Sequence, residues 1–337
     1  MLPDLMRHDR WRLITNRNVG LKRVWPWGHS IQRILAPKER GPAPVQQLVV
    51  ASDFGGEHKS ATHVLYVYLV IATGLDDWAR RMAALRREAL GHRRMAYKRL
   101  GDGVRQAALP GFLSAAADLD GHLVAIAVDK RQKWLSTQPG VADELRRAFQ
   151  LRCSWNPRAL EALMRKAHFL ALLLSIWAPL GAHVTWLTDE DEFVANDKRH
   201  DDALLAAGRL SSMYLDQPMG AFALNTTAQD SSRRHFEDLC SIADLTAGLL
   251  SDVRAGLAPE ASWEVEEVRV LEPDLPLKAR ILLSWFADSQ MRLRKTFISI
   301  DHLGARSMVR ELWTESNWIS DMSAEDHGRP NRANIDG

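Results

Sequence analysis

Apolar residues along this chain fall into two spacings. Short runs rich in β-branched and aromatic residues, the signature of strands, occupy Val45 to Phe54, His63 to Ala72, Leu123 to Val128, His183 to Thr188 and Ala221 to Asn225. Between them apolar positions recur every three or four residues, as on one face of a helix. Trp78, Met82, Leu85 and Ala89 open such a stretch, which spans about 76–119. Others cover about 141–178, 197–214 and 231–253, and further helical segments are expected around 277–296 and 303–314. Asn156-Pro157 breaks the second of these, because Asn caps a helix well and Pro suits its first position. Gly55-Gly56 supplies a sharp turn, so the first two strands are expected to pair as an antiparallel hairpin.

Strands separated by helices imply right-handed crossovers onto a partly parallel sheet, to which the hairpin adds an antiparallel part. The expected fold is therefore α/β. Its mixed sheet with flanking helices follows the element order of the ribonuclease H-like (RNase H-like) fold, with a helical insertion after the second strand and a helical C-terminal extension. Four regions result: a basic N-terminal extension and linker at 1–44, an RNase H-like domain at 45–254 with its insertion at about 76–119, a helical extension at 255–319, and a polar tail at 320–337 expected to be disordered.

With 337 residues, 46% of them hydrophobic, the chain has enough apolar material for one large core or two modest ones. The formal charge of +2 decides little; its distribution says more. The first forty-five residues are rich in Lys and Arg, and a second basic stretch runs from Arg80 to Arg105. Such patches fit contact with a polyanion, and a solvated basic helix is the competing reading. Cys153 and Cys240 are the chain's two cysteines, too few for a disulfide framework or a four-Cys zinc site. The N-terminus lacks an apolar signal core. The longest apolar run, Phe169 to Leu180, falls short of the roughly 20 residues a membrane span requires. These features are read as a soluble, cytoplasmic protein with no membrane partner.

Three acidic residues stand out against this apolar pattern. Asp53 ends the first strand, Asp189 and Glu190 end the run His183 to Thr188, and Asp244 interrupts Cys240 to Gly248. A carboxylate within an apolar segment is costly unless something binds it. In open α/β sheets functional groups gather outside the carboxyl ends of the strands, where Asp53 and Asp189 fall. Small residues around Asp244 (Cys240, Ser241, Ala247, Gly248) would let its helix approach the sheet closely. For each acid the alternative is a cap, a loop acid or a salt-bridged packing residue.

The hairpin with Asp53 closing its first strand, the later strand ending in Asp189-Glu190, and the motif Ile242-Ala243-Asp244-Leu245-Thr246-Ala247-Gly248 together resemble domain-of-unknown-function family 3800, an RNase H-like group, over roughly residues 46 to 252. The family has Asp-Glu-Ser after its first strand. Here the sequence is Asp53-Phe54-Gly55-Gly56-Glu57, with Glu57 a candidate replacement. Family resemblance implies a nuclease-like fold. The implied chemistry is hydrolysis of phosphodiesters in RNA or DNA at a two-metal carboxylate site: Asp53, Asp189 and Asp244 as catalytic ligands of Mg²⁺ or Mn²⁺, with Glu57 and Glu190 as further ligands. Arg86, Arg87, Arg93, Arg94, Lys98 and Arg99 are the expected phosphate contacts of a nucleic acid. A catalytically inactive module of the same fold, binding nucleic acid or a protein partner, is the alternative, and a role inside a larger assembly stays open.

Overall fold

The computed structural model describes residues 27–36, 46–132, 138–215, 219–230, 234–256, 267–270, 275–304 and 306–314. In chain order its elements are α1 (Gly28–Leu35), β1 (Gln47–Gly55), β2 (His63–Thr73), α2 (Leu75–Leu85), α3 (Gly103–Ala117), β3 (Asp120–Asp129), α4 (Val141–Ala148), α5 (Pro157–Trp177), β4 (His183–Thr188), α6 (Asp197–Tyr214), β5 (Ala221–Thr226), α7 (His235–Gly256), β6 (Glu267–Val270), α8 (Leu277–Ala287), β7 (Arg294–Leu303) and β8 (Arg306–Thr314).

The strands form one mixed eight-stranded sheet in the order β5-β4-β1-β2-β3-β7-β8-β6. β1, β2 and β3 are antiparallel neighbours, and β4 and β5 follow β1 in parallel. That half has the strand order and directions of an RNase H-like sheet. β7 then extends it beyond β3 in parallel.

Successive strand residues point to opposite faces, and each face carries its own core. Tyr66, Tyr68 and Val70 of β2 pack with α1, α5 and α6, whereas Leu65, Val67 and Leu69 pack with α2, α3, α7 and α8. The same alternation sends Val50 to the α5 face and Ala51 to the α7 face. Asp53, two residues beyond Ala51, therefore shares the α7 face. Leu187 packs on that face too, which sets the parity for Asp189. Trp186 Nε1 donates to Ser52 Oγ (2.8 Å), locking β1 to β4 where the register pairs Ser52 with Thr188.

Three stretches differ from expectation. The basic stretch 76–119 is not one helical run. After α2 it passes through a π-turn (Arg86–Leu90), a loop and a 3-10 turn (Tyr97–Arg99) before α3. Gly91, at φ +59°, ends the first part, and Asp102 caps α3 by accepting from the Val104 N–H. The segment expected to be helical at 303–314 forms β8, and 294–303 forms β7. A strand buried on both faces carries apolar residues consecutively and loses its alternation; Phe297, Ile298 and Ile300 are all buried. Within the N-terminal stretch, α1 packs Ile31 and Leu35 fully into the core. The rest of 1–44, apart from Trp27 and Ala36, and the tail at 320–337 lie outside the described residues. Among the described residues no helix is long and apolar enough to cross a membrane.

Candidate active site

Asp53 and Asp189 lie side by side at the carboxyl ends of β1 and β4, since the parallel register places each one residue past the Ser52–Thr188 pair. Adjacent strands are about 4.8 Å apart. α7 crosses this end of the sheet on the same face and brings Asp244 over Asp53. The close approach comes from Ala247, whose Cβ would lie only 3.3 Å from a Cβ added to Gly55 of β1. Gly248 serves a different contact from the one its helix suggests: it faces the ring of Tyr97, where an added Cβ would fall 2.1 Å from a ring carbon. That packing lets the Tyr97 N–H donate to Asp244 Oδ2 at 2.7 Å.

The three carboxylates are in different electrostatic states. Burial, and next the Asp244 carboxylate, push the Asp53 proton affinity well above the ordinary range. Burial raises that of Asp244 as well, against the Tyr97 N–H and Arg94. Asp189 goes the other way. Burial works to raise its pKa, but the Thr227 hydroxyl, the Arg94 guanidinium and the Glu190 N–H outweigh it and hold the carboxyl below its usual range. The contacts are short: Arg94 Nη1 at 2.5 Å from Oδ2, Thr227 Oγ1 at 2.6 Å and the Glu190 N–H at 2.9 Å from Oδ1.

Asp53 and Asp244 open onto a cleft of about 470 Å³ whose walls include Glu57, Tyr97, Lys98 and Lys278. Glu57 is exposed at its rim. Glu190 is not brought to this cleft and lines a separate depression with Asp197 and His200. Of the expected phosphate contacts, Lys98 reaches the cleft and Arg94 the carboxylates. Arg87, Arg93 and Arg99 are exposed, with Arg93 3.7 Å from Asp102. Arg86 is committed internally: it binds the buried Asp238, whose pKa burial pushes up to about 6, and donates to the carbonyls of Gly91 and Arg93.

Thr227, Tyr97 and Lys278 escape a reading of the sequence. Thr227 follows directly on the end of β5, and that position is its only signal. Lys278, which sits 4.2 Å over the Tyr97 ring, carries none. Two further acids near the strand ends, Asp129 and Asp191, form ion pairs with Arg131 and Lys166 respectively.

Hard carboxylate oxygens suit Mg²⁺ or Mn²⁺, and Mg²⁺ is commonly held by only one or two carboxylates plus water and substrate phosphate. Asp53 and Asp244, neither of which forms an ion pair among the described residues, fit that description. Among the described residues no group of three or more His, Cys, Asp or Glu is arranged to hold a metal ion, in keeping with Asp189 being bound to Arg94. No protein-family model matches this chain, and neither a curated protein nor a solved structure is significantly similar to it.

Proposed function

We propose that this chain is a divalent-metal-dependent nuclease that hydrolyses phosphodiester bonds in RNA or DNA, acting in the cytoplasm. The observation that carries this reading is the half-buried Asp53–Asp244 pair at the carboxyl end of the sheet, opening onto a cleft flanked by Lys98 and Lys278. Two carboxylates whose charge is unfavourable where they stand gain most from a cation. The resemblance to domain-of-unknown-function family 3800 supports the same reading.

Asp53 and Asp244 are the residues to hold Mg²⁺ or Mn²⁺, and the Tyr97 N–H fixes one Asp244 oxygen. A divalent ion bound there would supply a Lewis acid for the phosphodiester and a lowered pKa for water. Lys98 and Lys278 would draw the phosphate backbone to the cleft without reading sequence. In the hydrolysis the water oxygen bonds to phosphorus as the P–O bond to the leaving sugar oxygen breaks; the water gives up a proton to solvent and the departing oxygen takes one from solvent, leaving as the alcohol.

Cleavage of labelled single- and double-stranded RNA, DNA and hybrid, with Mn²⁺ or with EDTA, tests the proposal. Metal-dependent cutting is expected, falling by at least roughly 10³-fold in Asp53→Asn and in Asp244→Asn with folding retained. Cutting at the normal rate in both variants would overturn the assignment. A second reading, favoured by the tie of Asp189 to Arg94, is a module that binds nucleic acid or a protein without hydrolysis. Salt-sensitive, chelator-indifferent binding without cutting would favour it.

A further inference from the structure

We infer that Arg94 stands where a second metal ion would: the cleft takes one divalent ion at Asp53 and Asp244, and the Arg94 guanidinium, held by Asp189, presents the other positive charge to the scissile phosphate. This rests on the phosphodiester reading above and departs from the two-metal expectation drawn from the sequence.

The first support is that both oxygens of Asp189 are already engaged. Oδ2 takes Arg94, and Oδ1 takes both the Thr227 hydroxyl and the Glu190 N–H. A metal bound to Asp189 Oδ2 would have to sit beside the Arg94 guanidinium, which lies 2.5 Å from that oxygen, and would be repelled by it. Asp53, by contrast, receives no hydrogen bond among the described residues, and Asp244 receives one, from the Tyr97 N–H to Oδ2.

The second is that Arg94 is built in rather than swung in. Its loop is held at three points. Arg86 Nη1 donates to the carbonyls of Gly91 (3.0 Å) and Arg93 (3.1 Å), Arg105 Nε donates to the carbonyl of Arg94 itself (2.8 Å), and Met95 is fully buried. Both clamping arginines are in turn fixed by carboxylates, Arg86 by Asp238 and Arg105 by Asp102. A displaceable plug would not be anchored this way; a preorganised cation would.

The third is that the guanidinium has donors left over. The side chain is about a quarter exposed and makes one hydrogen bond among the described residues, from Nη1 to Asp189, so other guanidinium N–H groups stand open to an incoming acceptor. A phosphate oxygen is such an acceptor, and the planar fork of arginine matches it. The Arg94 charge acts on all three carboxylates, so it offsets the cluster as a second ion would.

Mn²⁺ titration of the full chain by calorimetry, with EPR of the bound ion, tests this without any variant. One Mn²⁺ per chain with an uncoupled spectrum is expected. Two Mn²⁺ with spin coupling would overturn the inference while leaving a metal-dependent nuclease standing. No Mn²⁺ bound by folded protein would overturn the nuclease proposal itself and this inference with it. Asp189→Asn is expected to keep Mn²⁺ affinity within about threefold, whereas Asp53→Asn loses it; equal loss in both would place Asp189 among the ligands and refute the assignment. Arg94→Ala is expected to bind Mn²⁺ yet cleave roughly 10³-fold more slowly, with partial recovery in Arg94→Lys. Cleavage at the normal rate in Arg94→Ala would end the case for Arg94.

Discussion

At the scale of single residues, enough partners can override depth in setting the charge state of a carboxylate. Asp301 shows this outside the candidate site. It is fully buried, yet the His63 ring, Arg254 (2.6 Å) and Arg310 (3.0 Å) surround it and, against the effect of burial, hold it well below the usual carboxylate range. Asp301→Asn would remove the buried negative charge that Arg254 and Arg310 share, a loss of about 3–5 kcal/mol. The sign with pH follows from linkage. A carboxyl held low in the folded state stabilises the protein above its unfolded value, near 3.9, and that stability is lost as pH falls through the folded value. The Tm deficit of the variant, followed by circular dichroism, should therefore be largest near neutrality and shrink below about pH 4. A deficit that grew in acid would refute the role of these partners. The sequence marks Asp53, Asp189 and Asp244 as unusual because each breaks an apolar pattern. It does not show that Asp189 is neutralised by Arg94 while the other two are not, because that pairing joins residues 95 apart in the chain.

At the scale of elements, α7 and the insertion between α2 and α3 set the site together. α7 reaches β1 through Ala247 against Gly55, and the insertion reaches α7 through Tyr97 against Gly248. Gly248→Ala separates two opposed effects. Alanine favours a helix over glycine by about 1 kcal/mol, while forcing a methyl into the Tyr97 ring costs typically 1–3 kcal/mol. With an added Cβ only 2.1 Å from a ring carbon, overpacking wins. The variant should lower Tm, and weaken Mn²⁺ binding because the Tyr97 N–H leaves Asp244. A raised Tm with unchanged Mn²⁺ affinity would show the turn around Tyr97 to yield freely. The small residues around Asp244 were legible as a close-approach motif. That Gly248 faces Tyr97 rather than the sheet was not, since Tyr97 sits in a turn whose position depends on Gly91 and the Asp102 cap rather than on any periodic pattern.

At the scale of the whole molecule, the five-stranded half that carries the site is not closed by itself. β3 is buried along nearly its whole length, and its outer edge is covered by β7. Asp301 on β7 also ties back to Arg254 of α7. A chain ending at Gly256 would expose that edge, which invites strand pairing between molecules; size-exclusion chromatography should find aggregate. A soluble monomer with native circular dichroism would show the half-sheet to be self-sufficient. The sequence alone determined the α/β class, the mixed sheet, its five site-bearing strands and the acids that end two of them. Periodicity and strand-end position are local properties, and one strand's worth of residues displays them. Only the tertiary structure decided that 294–303 and 306–314 are strands, that the basic stretch is divided by turns, and that Arg94 rather than solvent faces Asp189. β7, covered on both faces, has no alternation to read, and an ion pair across distant segments exists only once the sheet has brought them together.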